Sequence, residues 1–501
     1  MSTNLRSKTV RALGQLGAGG AMGKLVSLTT TLVLARILSP ADYGLMALAM
    51  VVIGFVGFFN EVGIGSAIVQ KEDLEQDEVN GCFAIAILIS LVLCGATALA
   101  SPLVAMFFGD ARLAQMIPLL STAFVVGATG SIPMAFLRRE MRFGAIAIVN
   151  ILAILIQSGV ALYLAYHGHG VWSLVWGYLV ANAVQSIGYC IASSWRPRGA
   201  FALRKAFGIV GYGLHVTSTR IFWYAYTNAD KVIVGKLLGD RALGIYDMAY
   251  SLATLPISQI TGMVNNVAFP LFARLQNDMQ RMSSVILKLT RGLAYVTYPA
   301  LIGMLAVSRE LVAVVLGPKW IDILIPFGAL CLMGLVKSVD PLLSQVLIAT
   351  GHARKLSAYT LMCGIAMTIG VIVGAIADGL RGVALVWVLV YPVLSVKLLS
   401  DTCDITGMKV GDYYRNLLPV LGGVAAMAAV VLLVREGLLT QDAPLALMLA
   451  VEIVAGALAY FMYIVYVDRR GITEIRQVLV DMGIAEKRLS RWPFSRALTA
   501  G

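Results

Sequence analysis

The sequence predicts an all-α integral membrane protein of about fourteen transmembrane helices, built as two six-helix lobes related by a parallel repeat, with two extra C-terminal helices. Three observations carry this prediction. Of the 501 residues 59% are hydrophobic and only 13% charged, about half the charged share of a soluble domain. Apolar runs of about 20 residues, enough to cross about 30 Å of hydrocarbon as helix, recur along the whole chain. Finally, LARILSPADYGLMALA (34–49) returns without a gap as VGKLLGDRALGIYDMA (234–249). Arg36 matches Lys236, Leu38 matches Leu238, Gly44 matches Gly244 and Ala49 matches Ala249. Period-two alternation broken by regular turns is absent, which argues against a β-barrel.

The first six spans are expected at about 12–34, 41–66, 80–100, 113–137, 143–165 and 170–194, and the second six at about 207–238, 242–270, 288–308, 322–349, 357–377 and 382–400. Two more follow at about 416–435 and 444–467. Boundaries fall at Ser39-Pro40, Ser101-Pro102, Gly168 to Gly170, Arg196-Pro197, Gly317-Pro318 and Gly351, where proline or glycine interrupts a helix. The first apolar run follows Arg6, Lys8 and Arg11 and resembles a signal peptide. It continues past any plausible cleavage site and contains Lys24, so it reads as an uncleaved first span.

The repeat extends beyond its first hairpin. Ser131-Ile132-Pro133 answers Val339-Asp340-Pro341, and GVWSLVW from Gly170 answers GVALVW from Gly382. An even number of spans per copy gives both copies one orientation, about an axis along the membrane normal. The expected division is an N-lobe at 1–200, a C-lobe at 201–405, two further spans at 406–467 and a basic tail at 468–501. Lys and Arg set the orientation. Arg138, Arg139, Arg142, Arg196, Arg198, Arg204, Lys205, Arg274, Arg281, Lys288, Arg291 and the tail residues Arg469, Arg470, Arg476, Lys487, Arg488, Arg491 and Arg496 all fall on one side. By the positive-inside rule that side is cytoplasmic, as are both termini. In the tail, Ile472 to Met482 can form an amphipathic helix. The basic residues beyond it, with Trp492 and Phe494, suit an anionic leaflet. A disordered basic tail obeying the same bias is the other reading.

Lys24 lies about halfway along span one and Arg220 equally deep in span seven; superposing the repeat copies puts them one turn apart on one face. Arg220, Tyr224, Thr227 and Lys231 form a narrow polar stripe at helical spacing, as do Gly17, Gly20, Lys24, Ser27 and Thr31. A charge at mid-bilayer costs at least about 2.5 kcal/mol on insertion scales, so it normally faces a wet or paired environment. Two such stripes facing one interface would make a cationic cavity suited to phosphate, which arginine grips by two oxygens. In the alternative, Lys24 snorkels and Arg220 bonds a neighbouring helix. Asp230 and Lys231 are then either part of the site or a polar helix terminus. Lys337 and Asp340, just before Pro341, read first as a self-neutralising pair at a helix break and second as gating or coupling residues. Glu452 is either a buried interhelical contact or a protonatable coupling site. Glu61 closes span two at the outer interface, and Gly19 with Gly23 gives a small-residue packing face.

Several chemistries are excluded. GAGGAMGK (Gly17 to Lys24) has the wrong glycine spacing for a phosphate loop, puts Leu25 where magnesium needs a hydroxyl, and follows no strand. The six cysteines are scattered, with no CxxC spacing, and read as small buried hydrophobes. His167 and His169 lack further ligands nearby and read as loop residues. There is no HExxH and no nucleotide-binding domain. The chain is expected to be no enzyme, to hold no metal or cofactor beyond a coupling ion, and to bind no nucleic acid.

LARILSPADYGLMALAMVVIGFVGFFNEVGIGSAIVQ (34–70), NADKVIVGKLLGDRALGIYDMAYSLATLPISQI (228–260) and VVLGPKWIDILIPFGALCLMGLV (314–336) resemble Wzx-type polysaccharide flippases. These belong to the multidrug/oligosaccharidyl-lipid/polysaccharide (MOP) exporter superfamily, and the similarity is nearest to the colanic-acid and succinoglycan exporter subgroup. It covers nearly the full chain. It implies a two-lobed bundle working by alternating access in the bacterial inner membrane. The implied cargo is an undecaprenyl-diphosphate-linked oligosaccharide repeat unit, moved to the periplasmic leaflet for exopolysaccharide or O-antigen-type synthesis. The implied partners are membrane lipids and the polysaccharide polymerase and export machinery. Related flippases line the cavity with cations, in keeping with Lys24 and Arg220 in kind, though the first-span motif is not shared residue by residue. The rivals are a cation-coupled multidrug antiporter, a lipid II flippase and, from another class, a membrane glycan polymerase or ligase. Drug exporters tend to carry a carboxylate in the first span, where this chain has Lys24. Polymerases usually need a large external loop, and the outer loops here are short.

Overall fold

Glycine ends or breaks several helices of this chain. Ser101-Pro102, expected as a boundary, instead lies inside a helix that runs on to Phe108 and stops before Gly109, because a membrane helix tolerates an internal proline. The computed structural model describes residues 20, 22–60, 65, 68–69, 75–197, 199, 203–440 and 443–468; the side chains of 203–223, 261, 263 and 265–267 are outside that description. In chain order α1 covers 22–37, α2 Pro40–Asn60, α3 Gln76–Phe108, α4 Leu113–Arg139, α5 Phe143–Tyr166 and α6 Trp172–Ala192. Helices α7 (203–238) and α8 (240–275) share the stretch Leu203–Leu275, broken at Gly239, whose φ of 87° and ψ of 179° suit only glycine. Then come α9 (Met279–Ala306) and a turn of helix at Ser308–Leu311. Irregular turns at Val312–Leu316 and Pro318–Ile323 lead into α10 (Leu324–Ala349). Helices α11 (353–377) and α12 (380–406) share Ala353–Thr406, broken at Asp378 and Gly379. The last two are α13 (Val410–Leu439) and α14 (Leu445–Tyr466).

Among the described residues these are fourteen helices and no strand, matching the fourteen spans read from the apolar runs. Ten helices among the described residues are long and apolar enough to cross a membrane, the double helix Ala353–Thr406 being one of them. Pro133 and Pro341, matched by the repeat, both lie inside their helices, α4 and α10. Membrane bundles tolerate this because neighbouring groups satisfy the freed carbonyls. The helix exteriors are apolar: Leu99, Leu103 and Met106 on α3, Ile191 on α6, Ile376 on α11, Val393 on α12 and Leu433 on α13 are all exposed. Such an exterior suits hydrocarbon as solvent.

The chain packs as two compact units that divide between Gly244 and Ile245. In the first, α4 packs against α3 and α6, and α5 against α6. Cys82, Ile85, Ile132 and Trp195 form one core there, and Leu137, Ile146, Val149 and Tyr189 another. In the second unit α10 packs against α9 and the α11–α12 pair, and α13 against α9 and α14. Its core gathers Phe272, Tyr295, Leu343, Leu398, Tyr413 and Met427. All six cysteines are free, and Cys82, Cys331, Cys363 and Cys403 are buried. Arg6, Lys8, Arg11, Gly17, Gly19, Glu61 and the basic tail beyond Asp468 lie outside the described residues.

Candidate functional site

The two sequence-matched hairpins meet each other. Within the first unit, a Cβ built on Gly44 would fall 1.7 Å from the Asp240 carbonyl oxygen, and one on Gly244 would fall 1.7 Å from the Pro40 carbonyl oxygen. Position 40 pairs with 240 in the repeat and 44 with 244, so the contact is reciprocal. The copies also bury the same positions, Leu45 and Ile245, Leu48 and Met248, Ala49 and Ala249. Their fastenings differ. In the first copy the Asp42 carboxylate accepts from the Ser39 backbone N–H (2.9 Å) and hydroxyl (2.6 Å), and the Asp42 N–H donates back to the Ser39 hydroxyl (3.2 Å). With Pro40 as the first helical residue, this is a local capping box. In the second copy the Arg112 guanidinium, from the α3–α4 connection, bonds Asp240 at 2.9 Å while gripping Asp110 at 2.7 Å. Lys236 Nζ donates to the Phe107 carbonyl. The hydrogen bond from Arg112 holds the Asp110 carboxyl below its ordinary range.

The predicted cationic stripe is placed as follows. Lys24 is exposed on α1. Arg220 lies in α7, and its side chain is outside the described residues. The Tyr224 hydroxyl donates to the carbonyls of Met50 (3.3 Å) and Val51 (3.1 Å) on α2. Its ring rests on Phe58, with centroids 5.1 Å apart, and Gly54 leaves it room. Thr227 donates to the Tyr224 carbonyl on its own helix at 3.2 Å. Asp230 is buried and accepts from the Lys231 backbone N–H at 2.8 Å, and Lys231 is half-buried.

In the second unit Lys337 and Asp340, expected as a self-neutralising pair, make no direct ion pair, and each bonds a different helix. Lys337 Nζ donates to the Tyr250 hydroxyl at 2.7 Å and lies 5.0 and 5.2 Å from the ring centres of Tyr250 and Trp387, within cation–π range. Trp387 donates in turn to the Tyr246 hydroxyl at 2.8 Å. Asp340 accepts from Tyr391 (3.0 Å) and Ser395 (2.7 Å) on α12. The hydrogen bonds of each side chain run to other helices rather than three residues along its own. Sequence spacing cannot show that.

Glu452 is fully buried. The Arg435 Nε on α13 lies 3.5 Å from its Oε1, and the same guanidinium pairs with the buried Glu310, between α9 and α10. The sequence reading singled out neither partner. Arg435 was findable, as the charge that closes the apolar run of span thirteen; Glu310, in a connection, carried no such signal. At the far end of α14, Asp468 receives Arg291 at 3.0 and 3.1 Å, and the Tyr295 hydroxyl. No group of three His, Cys, Asp or Glu comes together among the described residues.

The fourteen helices among the described residues, with their apolar exterior and duplicated hairpin, define a multi-span membrane fold. It is shared with the lipid II flippase MurJ in an inward closed conformation, at a TM-score of 0.74 and 14% identity over 91% of this chain and 99% of that one. An inward-facing multidrug resistance MATE transporter of the MOP superfamily follows, with a TM-score of 0.62 and 15% identity over 79% and 98%. The family described as Polysaccharide biosynthesis protein matches residues 33–325, and the chain belongs to it. Among its relatives are the lipopolysaccharide biosynthesis protein WzxC of Escherichia coli K12, 27% identical over 77% of this chain and 79% of that protein. The succinoglycan biosynthesis transport protein ExoT of Rhizobium meliloti is 26% identical over 77% and 78%. The resemblance drawn from the sequence therefore holds for both family and fold.

Proposed function

We propose that this chain is a flippase that carries an undecaprenyl-diphosphate-linked oligosaccharide repeat unit from the cytoplasmic to the periplasmic leaflet of the bacterial inner membrane. One observation carries this reading: a polysaccharide-biosynthesis family match across more than half the chain, on a fold shared with a lipid II flippase. The relatives named for lipopolysaccharide biosynthesis and succinoglycan transport support the cargo class. In this reading both termini are cytoplasmic, and 1–200 and 201–405 are the moving lobes, with 406–467 beside them. Lys24, Arg220, Tyr224, Thr227 and Lys231 receive the diphosphate, the sugar occupies the cavity, and the polyprenyl tail stays in lipid. Coulomb attraction between phosphate and a cation grows several-fold when water is partly excluded, which is why cations at that depth suit the task. Asp230, Lys337, Asp340 and Glu452 are the candidates for coupling or gating. The polymerase and export machinery act on the product.

Deleting the gene should stop polysaccharide export and accumulate a lipid-linked repeat unit on the cytoplasmic side. If no such intermediate accumulates, the flippase reading fails. Complementation with Lys24→Ala, Arg220→Ala and the double variant tests the cationic site separately. Export at wild-type level from normally abundant variants would remove those residues from the site and leave the flippase reading standing.

A further inference from the structure

The cluster of Glu310, Arg435 and Glu452 does not balance its charge. Two carboxylates share one guanidinium, and both acids are buried, with side-chain exposures of 3% for Glu310 and 0% for Glu452. Arg435 pairs directly with Glu310, while Glu452 meets only its Nε at 3.5 Å. Neither Glu452 oxygen has a hydrogen-bond donor. An apolar layer lies beside it: Val307, Val431 and Leu449, each about one turn from a member of the cluster, pack into one core. One turn further along α14, Gly456 brings the helix so near α13 that an added Cβ would lie 2.8 Å from Val431. Of the other charged groups on the elements packed here, Arg309 and Glu436 are exposed, Arg291 and Asp468 bond each other at the opposite end of α14, and Arg281, Lys288, Asp412 and Arg415 lie toward the other ends of α9 and α13. Nothing else on α14 carries a charge.

A surplus negative charge in such surroundings must be neutralised, because an unpaired buried carboxylate is far costlier than a protonated one. A metal cation would need several oxygen ligands and would sit against a guanidinium that repels it. A proton needs neither room nor ligands. We propose that Glu310, Arg435 and Glu452 form a proton-binding site, with the proton held chiefly on Glu452, and that its uptake and release is coupled to transport. The proton-binding half stands on the cluster geometry alone; the coupling half rests on the flippase reading above. Arg435, whose side chain is 18% exposed, is the least buried member of the cluster.

The test is infrared spectroscopy of the full chain in proteoliposomes, following the carbonyl stretch of protonated carboxyl groups as pH is varied, with the proton itself as probe. At neutral pH the wild type should show a protonated-carboxyl band that Glu452→Gln removes. Glu310→Gln should remove it as well, although Glu452 is intact, because one acid facing one arginine can ionise. Arg435→Gln should raise the band about twofold, since both acids then keep their protons. Glu310→Gln and Arg435→Gln carry the test should Glu452→Gln fail to fold. A wild type without the band, or a band unchanged in both Glu452→Gln and Glu310→Gln, would overturn the proton site; a signal from Asp340 would persist in both. For coupling, polysaccharide export is followed across external pH in complemented cells. Glu452→Gln should lose at least most of the wild type's pH dependence. If it accumulates normally and keeps that dependence, coupling at this site is wrong. Failure of the flippase reading would show separately, as a deletion strain with no accumulated intermediate.

Discussion

The hairpins at 34–49 and 234–249 share a backbone plan and differ in how they are fastened. Both put glycine at the crossing, and each glycine faces the backbone carbonyl of the other copy. The first is held by its own residues, Ser39 and Asp42, around a proline break. The second breaks at Gly239 and is held from a distance, by Arg112 to Asp240 and Lys236 to the Phe107 carbonyl. The difference separates what a duplication must keep from what it can change. Residues near a local twofold meet their own copies, so a side chain gained by one would collide with the other's main chain. Fastenings away from the crossing can be replaced one copy at a time. The replacement here ties the second hairpin to the α3–α4 connection.

The largest effect should come from breaking the shared part. In Gly44→Ala or Gly244→Ala the new Cβ would overlap a carbonyl group, and no rotamer change can relieve backbone overlap. The cost should reach or exceed the ~3 kcal/mol upper end usual for overpacking. The yield of folded protein and its melting temperature in detergent should fall alike for the two variants. Gly54→Ala is the control, since its Cβ meets the Tyr224 hydroxyl, the end of a side chain that can move. Tolerance of alanine at 44 but not at 244 would break the reciprocity.

How much of this was legible in the sequence follows the same division. Helix positions were legible because apolar run length and Pro or Gly breaks are properties of consecutive residues. The Gly44–Gly244 match was legible too, but the match alone does not say that the two touch. The capping box was there to be read in Ser39-Pro40-Ala41-Asp42, where the break alone was noticed. Partners across the bundle were not legible. Lys337 and Asp340 looked like each other's counterions because they are three residues apart, yet Tyr250 and Trp387 hold one, and Tyr391 and Ser395 the other. Glu452 stood out as a charge in an apolar run, while Glu310, the acid that unbalances it, lies in a connection where charge is ordinary.

The two fastenings should differ in strength and in sensitivity to salt. Asp42→Ala removes both side-chain bonds of the capping box and should cost about 1 kcal/mol, with little dependence on ionic strength. Arg112→Ala removes partly exposed ion pairs, worth about 0.2–1 kcal/mol and weakened by salt. Melting temperatures of both variants at low and high salt provide the check. Equal salt dependence would mean the local and remote fastenings do not differ as their geometry implies.

The smallest effect is also the one with a defined sign. Asp110 lies outside the helices and bonds Arg112, which lowers its pKa in the folded chain below the ordinary value of 3.8. A carboxyl lowered on folding adds stability above its unfolded pKa and loses that contribution as pH falls through the folded value. The melting temperature of the wild type should therefore exceed that of Asp110→Asn at neutral pH, by a small margin because the pair is partly exposed. The gap should begin to close only as pH drops below about 4 and should vanish at lower pH, once Asp110 is protonated in both states. If the gap persists unchanged in acid, Asp110 acts by shape or through its bond to the Arg112 backbone N–H. The α3–α4 connection would then hold the second hairpin by packing, as locally as Ser39 and Asp42 hold the first.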